Sequence, residues 1–273
     1  MIDFELDREL DTVSLWRAGG AARLELNRPQ ALNAWNRQFG LDLLDALKGV
    51  AADENVRAVL ITGAGRAFSS GADLKDLQAR EDMTPEGRPN VRKVLTERYH
   101  PIITTVRTMP KPVVSAVNGP CVGIGLSLAL AADLVVAKES AYFLLAFVNI
   151  GLVPDGGSSL FVPTRIGMTR ATEMAMLGER IPAPQALEWG LINRVYADEA
   201  FDRETQALVH RLATGPTRSY AGTKRQLNHW LYTRMEEQLE LEADLQQEMA
   251  DSGDFLEGVS AFVERRQARF GGN

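Results

Sequence analysis

Glycine-bearing loops that follow short apolar strands are the parts of this sequence best suited to chemistry at the backbone. One loop, Ala67–Leu74, contains Gly71 and follows the predicted strand Val56–Thr62. The other, Gly123–Gly125, opens a predicted helix after the strand Val113–Val117. The first N–H groups of a helix are free donors at a positive dipole end, and glycine lets them approach a bound group. Two such donors converging on one oxygen would form an oxyanion hole. The same pattern also suits a tightly packed strand–turn–helix without chemistry.

A third loop supplies a candidate acid or base. Asp155 lies between Val153-Pro154 and Gly156-Gly157, and Phe147 is nearby in the sequence. An apolar wall around a carboxylate raises its pKa and strengthens it as a base. The alternative is structural, since aspartate is a good helix N-cap and could accept the first N–H groups of the helix that follows.

Other common chemistries are disfavoured by the residues present. His100, His210 and His229 are isolated from one another and have no histidine or cysteine partner at metal-ligand spacing, so we expect surface or packing roles for them. The Gly-x-Ser-x-Gly motif of serine hydrolases is absent. Gly63-Ala64-Gly65 lacks both the Gly-Lys-Ser/Thr of a P-loop and the spacing of a dinucleotide fingerprint.

Composition describes an ordinary globular chain. Its 273 residues are 45% hydrophobic and 24% charged, which is enough for one large core. The net charge of −6 disfavours nucleic-acid binding. The acidic N-terminus does not resemble a secretory signal, no apolar run is long enough to cross a bilayer, and the single cysteine excludes an intrachain disulfide. We therefore expect a cytoplasmic protein without a nucleic-acid or membrane partner and without a metal site.

Alternation of strands and helices, followed by helical sequence, predicts the elements that position these loops. We expect an α/β core over residues 1–200 and a C-terminal helical region over residues 201–273 that serves assembly. Val13–Arg17 and Ala22–Leu26 read as a hairpin, and Asn33 could cap the helix after it. Further predicted elements are a surface loop at Ala79–Asn90, a helix at Val91–Thr108, strands at Leu134–Ala137 and Ala141–Leu144, and a helix start at Ile181–Pro184.

Three segments together resemble the crotonase (enoyl-CoA hydratase/isomerase) superfamily, namely Ala67–Leu74, Asn118–Ala132 and Gly151–Gly157. The resemblance extends to Leu26–Pro29, Gly190–Ile192 and Glu257–Phe262 and so covers nearly the whole chain in the expected order. It implies a spiral of ββα units with a C-terminal helical region that builds trimers, often paired into hexamers. It also implies acyl-CoA thioester substrates, with coenzyme A as part of the substrate and no separate cofactor.

The resemblance assigns site residues by position. Ala72 and Ile124 would supply the two N–H donors of the oxyanion hole. Ile124 stands where many relatives have glycine, and its side chain should reshape the acyl pocket, together with Phe143, Phe147 and the loop Ala79–Asn90. The positions implied to contact the substrate or its coenzyme A are Arg28, Ser70, Gly71, Asp73, Lys75, Gly123, Phe147 and Phe262. Of these, Phe262, together with Arg266, would approach the coenzyme A of a neighbouring subunit. Arg28 and Lys75 could instead be solvated surface charges, and Phe262 a packing residue.

The departures from the family pattern favour one reaction. The positions that match the two glutamates of the hydratases hold Ser127 and Phe147, which cannot serve as carboxylates. A carboxylate appears instead at Asp155, as in the isomerase branch, which includes the epoxyphenylacetyl-CoA and Δ3,Δ2-enoyl-CoA isomerase types. We therefore predict a double-bond shift through a dienolate, with Asp155 as the base. The alternatives are an enoyl-CoA hydratase and a non-catalytic acyl-CoA-binding protein.

Overall fold

The computed structural model describes residues 3–75, 82–85 and 87–273, which fold around two β-sheets. The strands are β1 (Glu5–Glu9), β2 (Val13–Ala18), β3 (Ala21–Leu26), β4 (Ala58–Gly63), β5 (Val113–Val117), β6 (Cys121–Val122), β7 (Leu134–Lys138), β8 (Tyr142–Leu144), β9 (Ile181–Pro182) and β10 (Arg194–Tyr196). The larger sheet has the order β1-β2-β3-β4-β5-β7-β10, and the smaller has the order β6-β8-β9. From β3 to β10 neighbouring strands of the larger sheet are parallel, whereas β1, β2 and β3 are antiparallel.

Helices cover the larger sheet and continue to the C-terminal region. They are α1 (Arg37–Ala52), α2 (Val91–Val94), α3 (His100–Thr108), α4 (Ile124–Ala131), α5 (Ser158–Leu177), α6 (Ala183–Trp189), α7 (Phe201–Thr214), α8 (Thr217–Leu231), α9 (Met235–Ala250) and α10 (Gly253–Glu264). A π-helical turn, Leu95–Tyr99, joins α2 to α3, and a 3-10 turn, Phe147–Ile150, precedes α5. No helix within the described ranges is long and apolar enough to cross a membrane.

Strand β5 is buried at all five positions because helices pack on both faces of the sheet. Val113 and Val117 belong to the core shared with α1, α3 and α4. Val114 and Ala116 lie in a second core, where α7 packs on the opposite face. The mixed α/β architecture and the predicted hairpin are therefore confirmed, while the division at residue 200 stays a prediction.

Helix α1 begins at a different asparagine from the one predicted. Its N-cap is Asn36, whose side chain accepts the N–H of Phe39 at 2.9 Å. Asn33 has a φ of 55° and is fully buried. Its amide group donates to the carbonyl oxygens of Ala64 and Ala67 at 3.0 and 2.8 Å, so it tethers the glycine-bearing loop after β4 instead of capping a helix.

Four short strands were absent from the sequence prediction. Strand β1 was not predicted, although Phe4 and Leu6 alternate with acidic residues at its start; it is exposed along its whole length and pairs only with β2. Strands β6, β9 and β10 have two or three residues each, too few to establish a period. The predicted loop Ala79–Asn90 lies partly outside the described residues.

Candidate active site

A cavity of about 410 Å³ opens at the N-terminus of α4. The loop after β4, the start of α4 and the loop before α5 all reach its wall. The wall is mostly apolar and includes Leu74, Val91, Val94, Leu95, Leu144 and Leu152. This combination of apolar wall and converging loops is typical of a small-molecule site.

Two glycines allow the first two loops to touch. Gly71 has a φ of 92° and Gly123 a φ of 55°, both in the region that favours glycine. A Cβ on Gly123 would lie 3.8 Å from the Cα of Gly71, and one on Gly71 would lie 3.2 Å from the carbonyl oxygen of Val122. The close approach brings the residues that follow, Ala72 and Ile124, to the same part of the cavity wall.

The N–H groups of Ala72 and Ile124 are both available to a ligand. Trp35 pairs with Ala72 in an isolated β-bridge. The N–H of Trp35 donates to the carbonyl of Gly71, and the carbonyl of Trp35 accepts the N–H of Asp73, so neither bond uses the N–H of Ala72. Ile124 is the first residue of α4, where N–H groups have no intrahelical acceptor. Within the described ranges neither N–H has a hydrogen-bond acceptor.

Asp155 faces the same cavity with its carboxylate almost fully buried. Its side chain is 5% exposed, and its Oδ2 accepts a hydrogen bond from Nε2 of Gln246 at 3.0 Å. Its Oδ1 is buried and has no partner among the described residues. Burial, and secondarily the negative charge of Glu242, raise the pKa of Asp155 well above the ordinary value of 3.8. A carboxyl in this environment is suited to exchanging a proton with a substrate.

The helix-capping alternative for Asp155 is wrong. The N-terminus of α5 is satisfied by Glu242 from α9, whose carboxylate accepts the N–H of Gly157 at 2.7 Å and that of Ser159 at 3.1 Å. Asp155 contributes to this helix end only through its main-chain carbonyl, which accepts hydrogen bonds from the hydroxyl and the N–H of Ser158. Burial raises the pKa of Glu242 to about 7 against the opposing effect of these hydrogen bonds.

Neither position that matches a hydratase glutamate provides a charge to the cavity. Ser127 is fully buried, and its hydroxyl donates to the main-chain carbonyl of Asp155 at 2.7 Å. Phe147 lies on the wall beside Gly123 and is 7% exposed. Ile124 also lines the cavity, and its side chain packs where a Cβ of Gly156 would stand.

The residues expected to contact substrate or coenzyme A divide into two groups. Those that line the cavity are Ser70, Gly71, Gly123, Phe147 and Phe262, whereas Arg28, Asp73 and Lys75 are outside the wall that the described residues form. Arg28 donates to Oδ2 of Asp73 at 3.2 Å, and both side chains are less than a fifth exposed. Arg28 is therefore not a solvated surface charge, while Lys75 is exposed.

Phe262 lies on α10 at the cavity with 62% of its surface exposed, so it does not pack within this chain. Arg266 follows it and also reaches the cavity, where its guanidinium is held by Glu257 and Glu264. Phe143, expected at the acyl pocket, is fully buried in β8 and is not part of the described wall.

The histidines lie where the sequence placed them. His100 is buried at the start of α3, while His210 and His229 are exposed on α7 and α8. Burial and the charge of Arg92 lower the pKa of His100 to about 4. Across residues 3–75, 82–85 and 87–273, no three histidine, cysteine or acidic side chains are grouped to hold a metal ion.

Two site residues, Glu242 and Gln246, were missed in the sequence. They are four positions apart on α9 and therefore on one helix face, and they are 2% and 0% exposed. The only available signal was this spacing, which is common in a helix as polar as α9.

Comparison with known proteins gives consistent results. A family model described as enoyl-CoA hydratase/isomerase matches residues 17–273. The 1,2-epoxyphenylacetyl-CoA isomerase of Escherichia coli is 39% identical over 254 residues, which cover 93% of this chain and 95% of that protein. A probable enoyl-CoA hydratase of Rhodobacter capsulatus is 42% identical over 253 residues, with the same coverage. A crystal structure of an enoyl-CoA hydratase from Mycobacterium avium subsp. paratuberculosis matches with a TM-score of 0.86 and 37% identity, covering 96% of this chain and 99% of that chain.

Proposed function

The chain belongs to the enoyl-CoA hydratase/isomerase (crotonase) superfamily and has its α/β fold, and we propose that within this family it is an isomerase that shifts a double bond of an enoyl-CoA. Coenzyme A enters as part of the substrate, and no separate cofactor takes part. Similarity to an isomerase in Escherichia coli supports this choice, but similarity to a probable hydratase is equally strong, so the choice rests on the site.

The observation that carries the proposal is the buried carboxylate of Asp155, which is the one carboxylate that the described residues place on the cavity wall. Oδ1 of Asp155 has no partner among the described residues, and the apolar surroundings raise its pKa. Such a group can accept a proton from carbon and keep it long enough to return it.

The proposed reaction has two proton transfers. The thioester oxygen binds the N–H groups of Ala72 and Ile124, which stabilise the negative charge that develops on it. Asp155 removes a proton from C2 of a 3-enoyl-CoA, and the electron pair of the C–H bond delocalises over the dienolate. The same carboxyl then donates that proton to C4, which leaves the double bond between C2 and C3.

Hydration would require a second group to activate water. Glu242 is the carboxylate whose negative charge raises the pKa of Asp155, but its two oxygens accept N–H groups of α5, and the hydroxyl of Ser159 also donates to it. It is thus committed to the helix end. A one-base shuttle needs no activated water and fits the site better.

Assembly and coenzyme A contacts complete the proposal. We place the adenine and phosphate end of coenzyme A near Arg28, Asp73 and Lys75, with Phe262 at the mouth of the acyl site. The C-terminal helices carry exposed apolar side chains, including Trp230 at 83% and Leu227 at 53% exposure, which supports a homotrimer or a pair of trimers.

The test compares a 3-enoyl-CoA with a 2-enoyl-CoA of the same chain length. Wild type should convert the first to the 2-enoyl isomer without adding water, and Asp155→Asn should lose at least about 100-fold in kcat while still binding the ester. Asp42→Asn is a matched control because Asp42 is 7% exposed but bonds to Thr12, remote from the cavity lining, so its turnover should persist. Hydration of the 2-enoyl ester by both wild type and Asp155→Asn would overturn the proposal.

A further inference from the structure

Gln246 holds one oxygen of Asp155 and leaves the other without a hydrogen-bond partner among the described residues. The side chain of Gln246 is fully buried, and its Nε2 donates to Oδ2 of Asp155 at 3.0 Å. Oδ1 of Asp155 is buried without a partner among the described residues, and both residues reach the cavity wall. The two carboxyl oxygens are therefore in unequal environments.

A second contact fixes the orientation of the Gln246 amide. Its Nε2 also donates to the main-chain carbonyl of Val153, which can only accept a hydrogen bond. Rotating the amide by half a turn would place its oxygen against that carbonyl oxygen, so the nitrogen must face Val153 and Asp155. The amide consequently presents a donor to Oδ2 in every protonation state of Asp155, because an amide nitrogen has no acceptor capacity.

We propose that Gln246 is a positioning residue that confines the shuttled proton to Oδ1 of Asp155. This inference rests on the proposed isomerase function and specifies how one carboxyl can serve two carbons. With Oδ2 occupied by a donor, a proton taken from substrate can reside only on Oδ1, the oxygen that has no partner among the described residues. The carboxyl does not have to rotate between the two transfers.

The proton balance follows from that assignment. The C2–H bond breaks as the O–H bond forms at Oδ1, and the electron pair passes into the dienolate. The Oδ1–H bond then breaks as the C3–C4 π pair of the dienolate forms the C4–H bond. The C1–C2 π pair moves to C2–C3, and a lone pair of the oxyanion re-forms the thioester carbonyl. A proton kept on Oδ1 is shielded from solvent, so the hydrogen that leaves C2 should reappear at C4.

Isotope transfer measures this directly. A 3-enoyl-CoA carrying deuterium at both C2 positions is turned over in ordinary water, and the deuterium at C4 of the product is measured by mass spectrometry. Wild type should carry a substantial fraction of the label to C4. Gln246→Met, which keeps the length of the side chain without the donor, should lower that fraction and reduce kcat by about tenfold, with KM nearly unchanged.

Gln238→Met is the matched control. Gln238 lies two turns earlier on α9, and its Nε2 donates to the hydroxyl of Ser159 instead of to Asp155. This variant should keep the wild-type transferred fraction. If Gln246→Met does not fold, Gln246→Asn withdraws the same amide by one methylene and is measured in its place.

The outcomes separate this inference from the proposed function. Equal transferred fractions and equal kcat in wild type and the Gln246 variant, with Asp155→Asn inactive, would overturn the positioning role and leave the isomerase intact. A full wild-type rate in Asp155→Asn would overturn both. A drop in kcat with an unchanged transferred fraction would mean that Gln246 is only structural.

Discussion

Ser127 donates its hydroxyl to the main-chain carbonyl of Asp155 at 2.7 Å, so the helix that opens at Ile124 directly holds the loop that carries the carboxylate. The same carbonyl accepts the hydroxyl of Ser158 at 2.8 Å. By resemblance, the position of Ser127 carries a catalytic glutamate in the hydratases. Here the position supports a carboxylate supplied by a different loop.

Ser127→Ala should reduce the free energy of unfolding by about 1 kcal/mol, the usual cost of losing a buried hydrogen bond. The effect stays small because Ser158 still bonds to the carbonyl. Urea unfolding would measure it. Ser115→Ala is the control, since Ser115 is fully buried but its hydroxyl has no partner among the described residues, so its loss should cost less than that of Ser127. Equal costs would show that the bond to Asp155 contributes nothing.

Gly71→Ala should reduce kcat by about 100-fold or more, because the new Cβ would press on the carbonyl of Val122 and displace the Ala72 N–H. Stability should also fall by about 1–3 kcal/mol because Gly71 has a φ of 92°. Gly19→Ala provides the comparison, since Gly19 has a φ of 50° but open space around its Cβ position. The Gly19→Ala variant should lose stability but keep the wild-type kcat. An equal loss of kcat in both variants would contradict an oxyanion hole at Ala72.

The pH dependence of kcat/KM should report the ionisation of Asp155, which must be charged to accept a proton. Its pKa is raised by burial and by Glu242, so activity should fall on acidification at a pH well above 3.8. Glu242→Gln removes the negative charge and should move that fall to lower pH. Glu240→Gln, on the same helix but exposed and paired with Arg92, should leave it in place. A shift to higher pH in Glu242→Gln would contradict the electrostatic coupling.

Local patterns predicted the loops of the site because each depends on a few adjacent residues. An apolar β-branched strand followed by glycine is sufficient to place Gly71 and Gly123, and the resemblance supplied the donors after them. Asn33 and Asn36 are three residues apart and equally good caps by type. The choice between them was decided by bonds from Asn33 to Ala64 and Ala67, which lie more than 30 residues away.

The contributions of α9 could not be predicted for a related reason. Glu242 and Gln246 are polar residues in a helix whose sequence is polar on most sides, so their residue types predict that both side chains are exposed to solvent. They are buried because the N-terminus of α5 and the carboxylate of Asp155 require partners at that place. Such pairings become visible only when distant segments are brought together.

Asp155→Asn should stabilise the protein at neutral pH even though it removes activity. The folded-state pKa of Asp155 is above 3.8, so the folded protein binds a proton that the unfolded chain releases. Stability is therefore lost as pH rises from about 4 through the raised pKa, and asparagine avoids this loss. The Tm of Asp155→Asn minus that of wild type should increase between pH 4 and pH 8, as measured by thermal unfolding across that range. Asp198→Asn is the control. Hydrogen bonds from Ser140 lower the pKa of Asp198 below 3.8, so its carboxylate stabilises the fold almost fully above about pH 4, and the Tm difference of this variant should stay nearly constant over the same range. A Tm difference for Asp155→Asn that does not change with pH would mean that Asp155 ionises as it does in the unfolded chain, and its role as a buried base would be lost with it.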